Sequence, residues 1–232
     1  MIIYLIFILA VLVILSWTMI KNRALRWTVG IITSLCLLGA SGILTLTFTD
    51  THLGMHKVTT TTTSKVYSAT GNQSPANILI AKRLGTKADR YVLVYRDSAA
   101  VKKATTHGVP NQDHIASTVK KKTTYKLTNG TSATATTKTT RWEWKNKTTK
   151  FWLNVGQGGT LVSKKTVVKV PKTTWLVLSP SQVKQLRAKL KAAAASGQTS
   201  TTTAAAAASG MSKDQLAAAA VTQIKTLLAQ SK

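Results

Sequence analysis

Four histidines, five aspartates, one glutamate and one cysteine make up the acid, base and thiol chemistry available to this 232-residue chain. His52 and His56 stand four apart, the spacing that brings two imidazoles to one face of a helix and suits a zinc ion. No third ligand stands near them in the sequence, so they read as a surface pair. His107 and His114 flank the turn-like segment GVPNQD, where Asp113 beside His114 offers an acid–base pair. Such loops carry histidine mostly without catalytic duty. Glu143 is the only glutamate and the aspartates are scattered, so paired-carboxylate chemistry lacks a dyad. Neither a phosphate-binding glycine loop, nor a zincin motif, nor a nucleophile elbow occurs. The expectation is a protein without enzymatic activity, metal or other cofactor.

Aromatic and basic residues offer binding instead. Trp142 and Trp144 alternate with Glu143, so on a strand both indoles share one face, with Trp152 across a hairpin from them. They read either as an exposed platform that stacks on sugars or other planar ligands, or as the core of a domain short of large apolar residues, and the core is expected. Of the 32 Lys and Arg, 29 lie beyond residue 49 together with all six acids, a balance of +23. Such a surface attracts polyanions through its summed field: nucleic acid, acidic headgroups or anionic wall polymers. In SQVKQLRAKLKAAAA, Val183, Leu186 and Leu190 form an apolar stripe beside Lys184, Arg187 and Lys191. These three cations are the candidate polyanion-binding residues, on a helix that either lies on headgroups or docks on a sheet with its charges in water. No named nucleic-acid motif is present, so nucleic acid is not the expected partner.

The elements that must position these residues begin with two apolar runs, 2–20 and 27–49, each long enough to cross a bilayer. A cleaved signal peptide would carry its basic region ahead of the first run, and MIIY has none. Between the runs lies KNRALR (21–26), whose Lys21, Arg23 and Arg26 act as a topology signal: a short cationic loop stays in the cytoplasm, which puts both termini outside. Trp17 and Trp27 bracket this loop, where indoles favour the water interface. Gly30 and Ser34, then Cys36 and Ala40, space small residues four apart for packing between the two helices. Cys36 is the only cysteine, which excludes an intrachain disulfide, and it is expected to pack as a small apolar residue.

Beyond residue 49 the period changes. HKVTTTTTSKVYSA, NILIAKR and RYVLVYR carry strand signals. Asn129-Gly130 between two Thr-rich runs predicts a hairpin, and RWEWKNKTTKFWLNV a second one turning at KNKTT. TLVSKKTVVKV and, after Pro171, TTWLVLS follow as strands. The predicted fold is therefore a transmembrane α-hairpin (1–49), then a mainly antiparallel β domain over 50–178, sandwich or open barrel. A basic amphipathic helix (179–195), started by Ser179 and Pro180, a low-complexity linker (196–212) and a C-terminal helix (213–232) complete it. That last helix has little to bury and is expected to need a partner surface.

The opening MIIYLIFILAVLVILSW, a short basic turn, a second span and a Thr/Lys-rich strand domain resemble an uncharacterised family of two-pass membrane proteins of Gram-positive lactic-acid bacteria, catalogued as a domain of unknown function. The resemblance covers roughly residues 1–180 and implies a cell-surface setting, with no site residues to transfer. The expected function is that of a plasma-membrane protein with two spans and an extracytoplasmic β domain. That domain binds anionic wall polymer or lipid headgroups, or serves as a scaffold. The alternative is an accessory subunit of a transporter or other membrane complex.

Overall fold

The computed structural model describes all residues except 50–51, 72–75, 86–88, 112–114, 196–211 and 230–232. By its contacts the chain divides into two compact units, residues 1–59 with 140–162 and residues 60–139 with 163–232.

The first unit opens with helices α1 (Ile2–Met19) and α2 (Arg23–Phe48), both long and apolar enough to cross a membrane. Their side chains are apolar nearly all round, the pattern of a helix covered on every side by lipid or by protein. Phe7, Ile32 and Leu38 point outward with most of their surface uncovered. The buried residues of the two helices are few, Ile2, Ser16, Gly30, Ala40 and Thr47, and three of them are small. A Cβ on Gly30 would stand 3.0 Å from the Trp17 ring, so glycine here lets the two helices close. Cys36, expected to pack, is exposed. The basic segment is also shorter as a loop than its sequence suggests, because α2 starts at Arg23 rather than at residue 27. The side chain of Asn22 accepts a hydrogen bond from the Ala24 amide at 3.1 Å and caps the helix, drawing Arg23 and Arg26 into it.

Strands β1 (Met55–Lys65), β5 (Lys121–Thr128), β6 (Thr134–Trp144) and β7 (Leu161–Pro171) form one four-stranded sheet in the order β1-β6-β7-β5. Strands β2 (Asn77–Arg83), β3 (Tyr91–Tyr95), β4 (Thr105–His107) and β8 (Trp175–Leu178) form a second, in the order β4-β3-β2-β8. Antiparallel pairing joins β2 to β3 and β3 to β4, but each sheet also holds a parallel pair, β5 with β7 and β2 with β8. The Asn129-Gly130 hairpin does not form: β7 lies between β5 and β6. Neither Asn129 nor Gly130 takes the positive φ that a two-residue hairpin turn of this type demands.

Both sheets contribute to one core in the second unit. Leu79, Ala81, Leu93 and Trp175 come from the β4-β3-β2-β8 sheet, and Ala135, Val168 and Val170 from the other. The opposite face of the β4-β3-β2-β8 sheet is covered as well. Ile78, Leu176 and Leu178 pack there against Leu186 of α5 (Pro180–Ala195) and Val221 of α6 (Lys213–Ala229), which follow the short helices α3 (Ile115–Val119) and α4 (Lys147–Leu153) in the chain. Burial on both sides explains why ILIA (78–81) is apolar at every position instead of alternating. It also gives the C-terminal helix its partner surface within the chain itself. The threonines of β1 make the contrast: its residues from Thr59 to Lys65 are all exposed, and β-branched shape rather than burial favours the strand.

Candidate polyanion interface

Alternation along a strand sorts the lysines of β5, β6 and β7 by face. Tyr125, Ala135 and Val168 turn toward the core, so Lys122 and Lys126 on β5, Lys138 on β6, and Lys165 and Lys169 on β7 turn away from it. The parallel register sets them side by side, Lys122 opposite Lys165 and Lys126 opposite Lys169. Like charges directly opposite on neighbouring strands repel, at a cost of up to about 1 kcal/mol per pair. None of the five meets a carboxylate partner among the described residues. A cleft of about 620 Å³ lies over this face, with Thr124, Thr136 and Val167 between the cations and Asp89 at its margin. Electrostatic repulsion that the fold leaves uncompensated is relieved when an anion chain with several charges lies across it.

A smaller cavity of about 330 Å³ opens where the core side chains of the two sheets give way to polar ones, among them Thr123, Thr137 and Thr166, with Lys121, Lys164 and Arg90 around it. His107 lines it, stacked on Tyr95 with ring centroids 3.9 Å apart. Gly108 then turns the chain with φ +80°, at a place where a Cβ would fall 2.7 Å from the Thr123 hydroxyl. Nε2 of His107 is buried and 3.4 Å from an Asp97 carboxylate oxygen, a charge contact without hydrogen-bond geometry. Burial lowers the pKa of His107 below the ordinary 6.5, and Asp97 opposes that shift. Burial, with Asp97 adding, pushes Tyr95 up to about 12. Tyr125 is raised by burial and by neighbouring Tyr91. No hydroxyl among the described residues hydrogen-bonds His107 Nε2.

The residues singled out by sequence are spread over separate elements. His56 belongs to β1 while His52 sits in the turn before it with φ +42°, so the two do not share a helix face. His52 instead stacks on Trp142 at 4.1 Å, and Lys57 Nζ approaches the same indole at 5.1 Å. Among the described residues no three His, Cys, Asp or Glu side chains cluster as a metal site would need. Asp113 and His114 lie outside the described residues. Trp144 shares a strand face with Trp142, but Trp152 does not lie across a hairpin from them. KTTKFWL forms helix α4 (Lys147–Leu153), because the Asn146 side chain caps it by accepting from the Thr149 amide at 2.7 Å. None of the three joins the buried core, whose tryptophan is Trp175. Lys184, Arg187 and Lys191 are exposed on α5, whose Val183 and Leu186 dock on the sheet. The lysine face was legible as K-x-T-x-K at 122–126 and K-x-V-x-K at 165–169, a period of two that marks one side of a strand.

A family model described as "Domain of unknown function (DUF4811)" matches residues 21–186. That span holds the second apolar helix, both sheets and the start of α5. No curated protein and no solved structure matches the chain.

Proposed function

The chain belongs to the DUF4811 family, whose function is unassigned, and from its geometry we propose a non-enzymatic, membrane-anchored cell-surface protein whose β-sandwich binds a phosphate-bearing anionic polymer of the envelope. The observation that carries this reading is the pair of lysine columns on β5 and β7, held opposite one another without carboxylates. α1 and α2 anchor the chain in the plasma membrane, with Lys21, Arg23 and Arg26 on the cytoplasmic side and the sheets outside. The lysine face, rather than Lys184, Arg187 and Lys191 on α5, is the principal contact. An accessory-subunit role finds less support, since Gly30 and Ala40 are used up within the helix hairpin.

The test is retention of the detergent-solubilised full chain on immobilised polyphosphate, with phosphatidylglycerol vesicles as a second arm. Retention should fall as salt rises, because exposed charges are screened beyond about 10 Å at 0.1 M salt. The variant carrying Gln at 122, 126, 138, 165 and 169 should lose most of it, and Gln at 184, 187 and 191 little. Equal retention by the first variant and wild type removes the proposal. Preference for vesicles over polymer would move the ligand from envelope polymer to lipid headgroup.

A further inference from the structure

We infer that helix α4 is an interfacial anchor, its Phe151 and Trp152 seated in the headgroup layer and its lysines holding the phosphates of anionic lipid. The inference rests on reading α1 and α2 as a membrane hairpin. Two large aromatic side chains on a single short helix are exposed, Phe151 by 56% and Trp152 by 45%, and they touch each other edge to face at 5.6 Å. Bare in water, that pair forfeits the burial that makes such residues stabilising. The membrane–water boundary is where an indole finds both an apolar bed and a polar rim.

The place of α4 within its unit says which boundary. The Met1 amino group donates to the backbone carbonyls of Phe151 at 3.2 Å and Trp152 at 3.4 Å, so the last turn of α4 meets the first turn of α1. On its other side Thr149 and Leu153 pack against Gly54, which follows the end of α2; a Cβ there would come within 3.4 Å of Thr149, and its φ of +79° suits glycine. α4 is thus fastened at the end of the hairpin opposite Trp17 and Trp27, which pair at 5.5 Å near the connecting loop. An aromatic pair at each end, separated by α1 at about 27 Å, brackets a bilayer core of about 30 Å.

Beside α4 a cleft of about 590 Å³ is lined by Lys145, Lys147, Lys150, Trp144 and Gly158, and by one carboxylate, Glu143. Trp144 Nε1 is buried and lacks a hydrogen-bond partner among the described residues. Three ammonium groups against one carboxylate leave the cleft cationic and suit a phosphate ester, and beside a bilayer the abundant phosphate ester is the lipid headgroup.

The test uses the full chain in the Cys36→Ala background, reconstituted in vesicles of phosphatidylcholine with phosphatidylglycerol. Nitroxide labels are placed in turn at Trp152→Cys, at Phe151→Cys as an independent second site, at Leu35→Cys in α2 and at Ala100→Cys in the β region. Collision with a water-soluble paramagnetic reagent should be several-fold lower at 151 and 152 than at 100, and higher than at 35. Labels at 151 and 152 as open to water as the one at 100, while 35 stays shielded, would overturn the inference and leave the hairpin reading intact. A water-exposed label at 35 would sink both. Replacing phosphatidylglycerol by phosphatidylcholine should raise the collision rate at 151 and 152; no change would overturn the preference for anionic lipid.

Discussion

The two sheets, one of strands of 8 to 11 residues and the other of strands of 3 to 7, treat water in opposite ways. The β4-β3-β2-β8 sheet is covered on one face by the shared core and on the other by α5 and α6, and the centres of β2, β3 and β8 are apolar on both faces. The β5 and β7 strands of the other sheet bury one face and present lysine on the second. Most of the buried apolar side chains belong to the first, and the second, which buries Val168 and Val170 on one face, carries charges that repel on the other.

The sharpest way to break this contrast is to hollow the covered sheet. Leu93 and Leu79 are 0% exposed, and Leu93→Ala should destabilise the second unit by about 3 kcal/mol. Thr63→Ala, on exposed β1, should change it by less than about 0.5 kcal/mol. Chemical denaturation of the full chain in detergent, followed by near-ultraviolet circular dichroism, measures both. Equal effects would mean that the covered sheet is no more stabilising than the edge.

A smaller effect of opposite sign is expected on the lysine face. Lys165→Gln with Lys169→Gln removes one column of charge and should raise stability by roughly a few tenths of a kcal/mol at low salt. The gain should vanish near 1 M salt, where the screening length falls to about 3 Å. A loss of stability would show that these lysines already have partners and would remove the argument for an anion ligand.

The smallest effect is a pH dependence at the cavity. His107 is held below its ordinary pKa of 6.5, so the unfolded chain binds its proton first. Stability should therefore fall as pH drops through 6.5 toward the folded value, and His107→Gln should flatten that slope. Tyr95, pushed up to about 12, acts at the other end: stability should decline as pH rises from 10 toward 12. Denaturation midpoints across pH read both. An unchanged acid slope in His107→Gln would assign it to another group.

Local pattern was a good guide wherever local forces decide. NILIAKR became β2 with the same bounds, and RYVLVYR shed only its two arginines to become β3. Ser179 and Pro180 open α5 as expected, with the Gln182 amide donating to the Ser179 hydroxyl at 3.2 Å. The failures share a cause. Whether β5 pairs with β6 or with β7 depends on what the distant strand offers, and no turn signal records that. α4 was hidden by the β-rich composition of RWEWKNKTTKFWLNV, although Asn146 three residues before Thr149 was a readable cap. Cations on one face of a strand were visible as alternation, but their alignment across strands depends on register, which only the folded sheet supplies. The C-terminal helix looked partnerless because its partner is a sheet face some 40 residues upstream in β8 and more than 100 in β2.

The position of β7 between β5 and β6 also orders events in time. As the chain emerges, β5 and β6 appear first, joined by an Asn-Gly turn that invites them to zip together in a pairing absent from the finished sheet. Residues 161–171 must then arrive and claim both neighbours, so the sheet closes late and through contacts far apart in sequence. Crowding lysine on β5 and β7 leaves those strands soluble while they wait, and the charges that suit the face for an anion also discourage a premature hairpin from recruiting other chains.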